Sequence, residues 1–273
     1  MKKTYLLVIL LSAVLFSCKK DKDEQPTNPT PSPYTIVSTD FANAGDTILL
    51  NVDTTITQTL SLASGQNITW DYTVLSSERI DSVIFYNPAN TPGAQYFTGK
   101  SNIAMQPEQG QPLYFYLNKS TDKVEGVGIW ANFQGSELHP EFTDRPIMVK
   151  FPANYNATLK DSSSLSAIVD LGSNQYGKLE MKQYFDVLYD ATGTVNLPNN
   201  KTYKCLREKR IEINKTNVFV GMTPNGPWVP VQSNIDTTYS YNYFAKNKKW
   251  NVVSIIVNNF TTNTIKEISY IKE

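Results

Sequence analysis

From residue 34 onward the chain alternates apolar and polar residues with a period of two, and no stretch of a dozen residues repeats at 3.6. A period of two sends successive side chains to opposite faces of an extended backbone, which commits the chain to half-buried strands. Ile68, Trp70, Tyr72 and Val74 share one face, with Thr69, Asp71 and Thr73 on the other; Leu179, Met181, Phe185 and Val187 oppose Lys178, Glu180, Lys182 and Asp186. Further strands are expected over 47–52, 82–86, 113–117, 127–133, 147–151, 165–171, 206–213, 218–222, 238–244, 250–257 and 265–271. Turn chemistry separates them at Ser64 to Asn67, Asn90 to Gly93, Thr192 to Gly193, Pro198 to Asn200 and Pro224 to Pro227. The expectation is an all-β fold: a single antiparallel β-sandwich domain over 34–273, with a lipocalin-like β-barrel as the alternative. A segment of that length buries a core of its own without staples.

The first 33 residues have a different composition. Lys2 and Lys3 precede an apolar run from Tyr5 to Phe16 that is too short to span a bilayer permanently, so residues 1–17 read as a signal peptide. The run closes on Leu15, Phe16, Ser17 and Cys18, which resembles the lipobox of bacterial lipoproteins. That resemblance implies cleavage before Cys18 and acylation of Cys18, through palmitate-type chains on its sulfur and new amine. Two or three chains, at about 0.8 kcal/mol per buried CH₂, hold a protein on a membrane without crossing it. The charged run Lys19 to Glu24 resembles the export signal of Bacteroidota lipoproteins. It implies the outer membrane facing the cell exterior, with the periplasmic face as the alternative. Gln25 to Pro33 carries four prolines and no apolar partner, so 18–33 is expected to be a lipidated cysteine on a disordered, extended stalk of up to roughly 45 Å.

Within the domain, Gly65 to Tyr72, then Val149 to Pro152, then Asp190 to Pro198 running on to Arg207 resemble segments that recur, in that order, in secreted Bacteroidota proteins of uncharacterised family. The resemblance implies one intact exported β domain and carries over no activity and no catalytic residue. Val195 and Tyr72 depart from it, standing where Leu and Phe are commoner. Read from the residues alone, Gly193 supplies a tight turn, Pro198 ends the pairing of the return strand, and Arg207 pairs with a carboxylate across the sheet as framework.

The chemistry inventory is thin. Lysine and arginine balance aspartate and glutamate at 25 each, so nucleic acid is not an expected partner. Of the two cysteines, Cys18 is assigned to lipid, which leaves Cys205 without an intrachain partner and expected as a buried, inert thiol. His139 is the only histidine; with Glu137, Glu141 and Asp144 it forms the one cluster where carboxylate chemistry is worth inspecting, in a stretch that reads as a surface loop. No metal site, cofactor or catalytic constellation is implied. Aromatics supply the positive hint: Trp228 in a proline-flanked loop, and Tyr239, Tyr241 and Tyr243 on one strand face, suit stacking on sugar rings or a protein interface. The expectation is a lipid-anchored, non-catalytic binding module for glycan or protein, displayed on an exposed aromatic platform. A structural or assembly component of the envelope is the first alternative, and a carboxylate-dependent glycoside hydrolase the second.

Overall fold

The computed structural model describes residues 32–56, 58–133 and 135–273; the signal peptide, Cys18 and nearly all of the stalk lie outside them. Pro33–Glu273 is one compact unit, and its buried apolar residues run from Ile36 to Tyr270. Strands make up 63% of the described residues and helix 5%, so the fold is all-β.

Among the described residues fifteen strands follow in order: β1 (Thr47–Asp53), β2 (Gly65–Asp71), β3 (Arg79–Tyr86), β4 (Ile103–Gln106), β5 (Leu113–Lys119), β6 (Lys123–Phe133), β7 (Ser136–Leu138), β8 (Phe142–Asp144), β9 (Ile147–Lys150), β10 (Thr158–Gly172), β11 (Gln175–Leu197), β12 (Lys201–Gly221), β13 (Val229–Ala245), β14 (Asn251–Val257) and β15 (Ile265–Ile271), with a short α-helix, α1 (Ala94–Phe97), between β3 and β4. They form one sheet, ordered β7-β6-β5-β4-β3-β1-β15-β14-β13-β12-β11-β10-β8, with β9 beside β6 and β2 beside β11. The sheet is not closed, which removes the barrel alternative. Instead it doubles back: Leu50, Phe85, Ile103, Leu117 and Val149 from one arm pack in a single core with Val187, Tyr189 and Leu206 from the other. The two arms of one curled sheet thus do what two sheets do in a sandwich.

A second core lies on the outer side of the β11–β15 arm, where the segment through β2 roofs it with Leu60, Trp70, Tyr72 and Leu75. That arm is therefore buried on both faces, which is why β14 reads as an almost unbroken apolar run. One residue links the cores. β11 pairs with β12 through Tyr189↔Glu208 and then Ala191↔Arg207, leaving Asp190 as a bulge. Before the bulge the odd-numbered Val187 and Tyr189 face the inner core. After it the odd-numbered Ala191, Val195 and Leu197 face the outer core.

Two expectations are corrected here. The turn expected at Thr192–Gly193 is absent, and β11 runs through it for 23 residues. Glycine is needed there because β2, pairing parallel with β11, runs so close that an added Cβ would stand 1.9 Å from the Ile68 carbonyl oxygen. The reversal comes at Pro198–Asn200, where Asn199 and Asn200 both adopt positive φ. Likewise 206–213 and 218–222 are one 21-residue strand, β12.

Candidate binding cavity

The inward face of β12 carries Glu208, Arg210 and Glu212 at alternate positions, and its register sets Tyr189, Val187 and Phe185 of β11 on one side and Asn242, Ser240 and Thr238 of β13 on the other. Across from this row stand Met105 of β4, Phe115 of β5, Phe142 of β8 and Met148 of β9. Between the two walls lies a cavity of about 380 Å³, within the range of small-molecule sites. One wall offers hydrogen bonds and the other is apolar.

The polar wall is held by its own network. Asn242 donates to Glu208 at 3.0 Å and accepts from the Ser254 hydroxyl at 2.7 Å. Asn214 donates to Glu212 at 3.0 Å, and Gln183 donates to Asn214 at 2.8 Å. Tyr189 is buried against Glu208; burial first and the Glu208 charge second hold its phenol well above the usual range, so it stays neutral. Arg210 is the exception. Its guanidinium reaches the Met148 carbonyl at 3.5 Å, Glu208 at 3.6 Å and Glu212 at 3.9 Å, and lies 4.9 Å from the Phe185 ring centre. None of these is a short bond, although the residue is only 9% exposed.

Arg207, three residues earlier and on the opposite face, is a contrast. It donates to both Asp190 carboxylate oxygens at 2.8 Å and to the Leu62 carbonyl at 2.9 Å, with its guanidinium 4.6 Å from the Tyr241 ring. It is wholly buried framework, as the sequence suggested. Cys205 is buried and burial pushes its thiol up, away from reactivity.

The four aromatics read as a ligand platform do not form one. Tyr243 is fully buried, its hydroxyl 2.7 Å from that of Tyr72. Tyr241 is buried and donates to Asn263 at 3.0 Å. Tyr239 packs edge-on against Phe260 at 5.2 Å. Trp228 lies just before the other end of β13, roughly 35 Å along the chain from Tyr239 at a strand's rise per residue, half-buried with the Lys178 ammonium 5.7 Å from its ring. The exposed platform is corrected: an alternating tyrosine row marks a buried face as readily as a presented one. His139 is exposed and stacks on Tyr96 at 3.5 Å; Glu141 pairs with Lys100 and Asp144 accepts from Ser162 at 3.0 Å. None of the three lines the cavity. Among the described residues no group of three or more His, Cys, Asp or Glu is placed to hold a metal, and no helix is long and apolar enough to cross a membrane.

Burial pushes the Tyr243 hydroxyl up to about 12, while Tyr72 beside it is raised further by burial and by Tyr243. In the unfolded chain both ionise near pH 10. Above pH 10 the unfolded state then holds fewer protons than the native one, so stability falls as pH rises. Unfolding free energies from denaturant titration are expected to show no contribution from this pair just below pH 10 and to drop between pH 10 and 12 by roughly 2–3 kcal/mol for Tyr243 alone. Tyr243→Phe should flatten much of that drop.

Comparison with known proteins gave no matching family model, no matching curated protein and no matching solved structure. What the geometry defines is a class: an open, curled β-sheet enclosing a two-walled cavity.

Proposed function

We propose that this chain is a lipid-anchored, non-catalytic binding module that takes a small ligand between the arms of its sheet. The observation that carries the reading is the cavity: a hydrogen-bonding row centred on a loosely held guanidinium, facing an apolar wall. It favours a small ligand, or one unit of a glycan, over a protein surface. The membrane is reached through Cys18, and the charged run after it supports the outer membrane with the domain facing outward. A thermal-shift screen of Pro33–Glu273 against glycan fragments and small lipids tests the reading. A ligand at a hundred times its Kd adds about 2.7 kcal/mol, which for this size is a rise of roughly 5–10 °C. Trp228→Ala should leave that rise intact, and a cavity-filling Met148→Trp should abolish it. The anchor is checked separately, since Cys18→Ala should move the protein out of the membrane fraction.

One observation keeps the hydrolase alternative in view. The cavity contains two carboxylates, Glu208 and Glu212, so a glycosidase would use these rather than the group around His139. Turnover on a glycan panel that is lost in Glu208→Gln would favour it over binding alone.

A further inference from the structure

Resting on that reading of the cavity, we infer that its ligand is an amphiphile with an uncharged, hydroxylated head and an apolar tail. Side-chain exposure falls along the β12 row from 28% at Glu212 to 10% at Arg210 and 3% at Glu208, so the row runs from the mouth of the cavity to its floor. At the mouth, Glu212 takes the Asn214 amide on one carboxylate oxygen; its other oxygen stands 3.9 Å from Arg210, beyond hydrogen-bond reach. Among the described residues Arg210 makes one hydrogen bond, at 3.5 Å to the Met148 carbonyl, with Glu208 and Glu212 of the polar wall 3.6 and 3.9 Å from it. A hydroxyl satisfies both groups at once, donating to Glu212 and accepting from Arg210.

Charge selects against the obvious competitor. The row holds two carboxylates and one guanidinium, so an acidic head would meet net negative charge in a partly dehydrated site. Glu208 offers no relief, because Asn242 already donates to it at 3.0 Å and fixes it in place. A free sugar fits the other half poorly. The wall opposite is built from Met105, Met148, Phe115 and Phe142, and hydroxyls set against it would have no partner. An alkyl tail covers it, and the two flexible thioethers adapt to a tail of irregular shape.

The test uses Pro33–Glu273, which contains every buried residue described, and three probes below any micelle concentration: octyl glucoside, glucose and octanoate. Isothermal titration is expected to give saturable binding of one octyl glucoside, with glucose and octanoate each weaker by about tenfold or more. Glu212→Gln should weaken the glucoside and strengthen octanoate, a reversal that general damage to the fold would not produce. Arg210→Met should weaken the glucoside without strengthening octanoate. Octanoate equal to or tighter than the glucoside in the native protein overturns the inference, as does glucose binding as well as its octyl derivative. If another small molecule binds and is displaced by Met148→Trp while the glucoside does not bind, the head-and-tail assignment falls and the cavity reading stands. If no ligand's binding responds to Met148→Trp, the cavity reading falls with it.

Discussion

Gly193→Ala is expected to cost at least about 3 kcal/mol, seen as a fall of roughly 6–12 °C in Tm. The residue has ordinary backbone angles, so the effect does not come from conformational freedom. It comes from space: the new Cβ would lie 1.9 Å from the Ile68 oxygen and 2.7 Å from its carbonyl carbon. Backbone cannot step aside as a side chain can, so β2 must lift away from β11. β2 brings Trp70, and the residue just past its end is Tyr72, both fully buried over the outer core. Lifting it also pulls the Trp70 indole from the Ala63 carbonyl, which accepts its N–H at 3.1 Å. Gly177→Ala is the control, since its Cβ would meet only side-chain carbons of Val169 and Leu171, at 3.1 Å and beyond; it should cost no more than about 1 kcal/mol. Chemical denaturation compares the two, and a Gly193→Ala protein within about 0.5 kcal/mol of the native one, the scatter of a neutral surface change, would rule the explanation out.

Asp190→Ala is the second large effect, at about 3–5 kcal/mol. It would leave the Arg207 guanidinium buried and without its carboxylate, donating to the Leu62 carbonyl at 2.9 Å among the rings of Tyr241, Trp70 and Tyr243 at 4.6, 5.6 and 5.9 Å. Arg207→Met alone leaves a carboxylate that is less deeply buried, at 11% side-chain exposure, and should cost less. The double variant should be more stable than the sum of the two singles by 1 kcal/mol or more, with about 0.5–3 kcal/mol the usual range for contacting residues. Strict additivity in a double-mutant cycle would mean that the pair is not coupled.

Much of the architecture could be read from alternation alone, because most strands put one apolar face on a core: β1, β5, β14 and β15 were expected nearly where they lie. Lengths were less legible. Thr192–Gly193 has turn composition, yet the glycine answers to a neighbouring strand more than a hundred residues earlier, which local reading does not see. The cavity was missed for a related reason. On β12 hydropathy turns Ile211 and Ile213 inward and Glu208, Arg210 and Glu212 outward, and the register reverses this: the charged row faces the other arm. The signal was present as three charges alternating in sign at a period of two, which on an exposed strand face would carry no meaning. The tyrosines misled in the opposite sense, since Phe260 and Asn263, which cover Tyr239 and Tyr241, come from a loop beyond β14.

The bulge at Asp190 fixes how the chain can change in length. With odd-numbered residues inward before it and outward after it, each half of β11 has a parity set by a different core. Losing or gaining one residue on either side would send Val187 and Tyr189, or Val195 and Leu197, to the wrong face together. Relatives of this chain should therefore add or remove residues in β11 in pairs, or confine such changes to the hairpin ends, and the bulge itself should persist where the cavity and outer-core side chains have diverged.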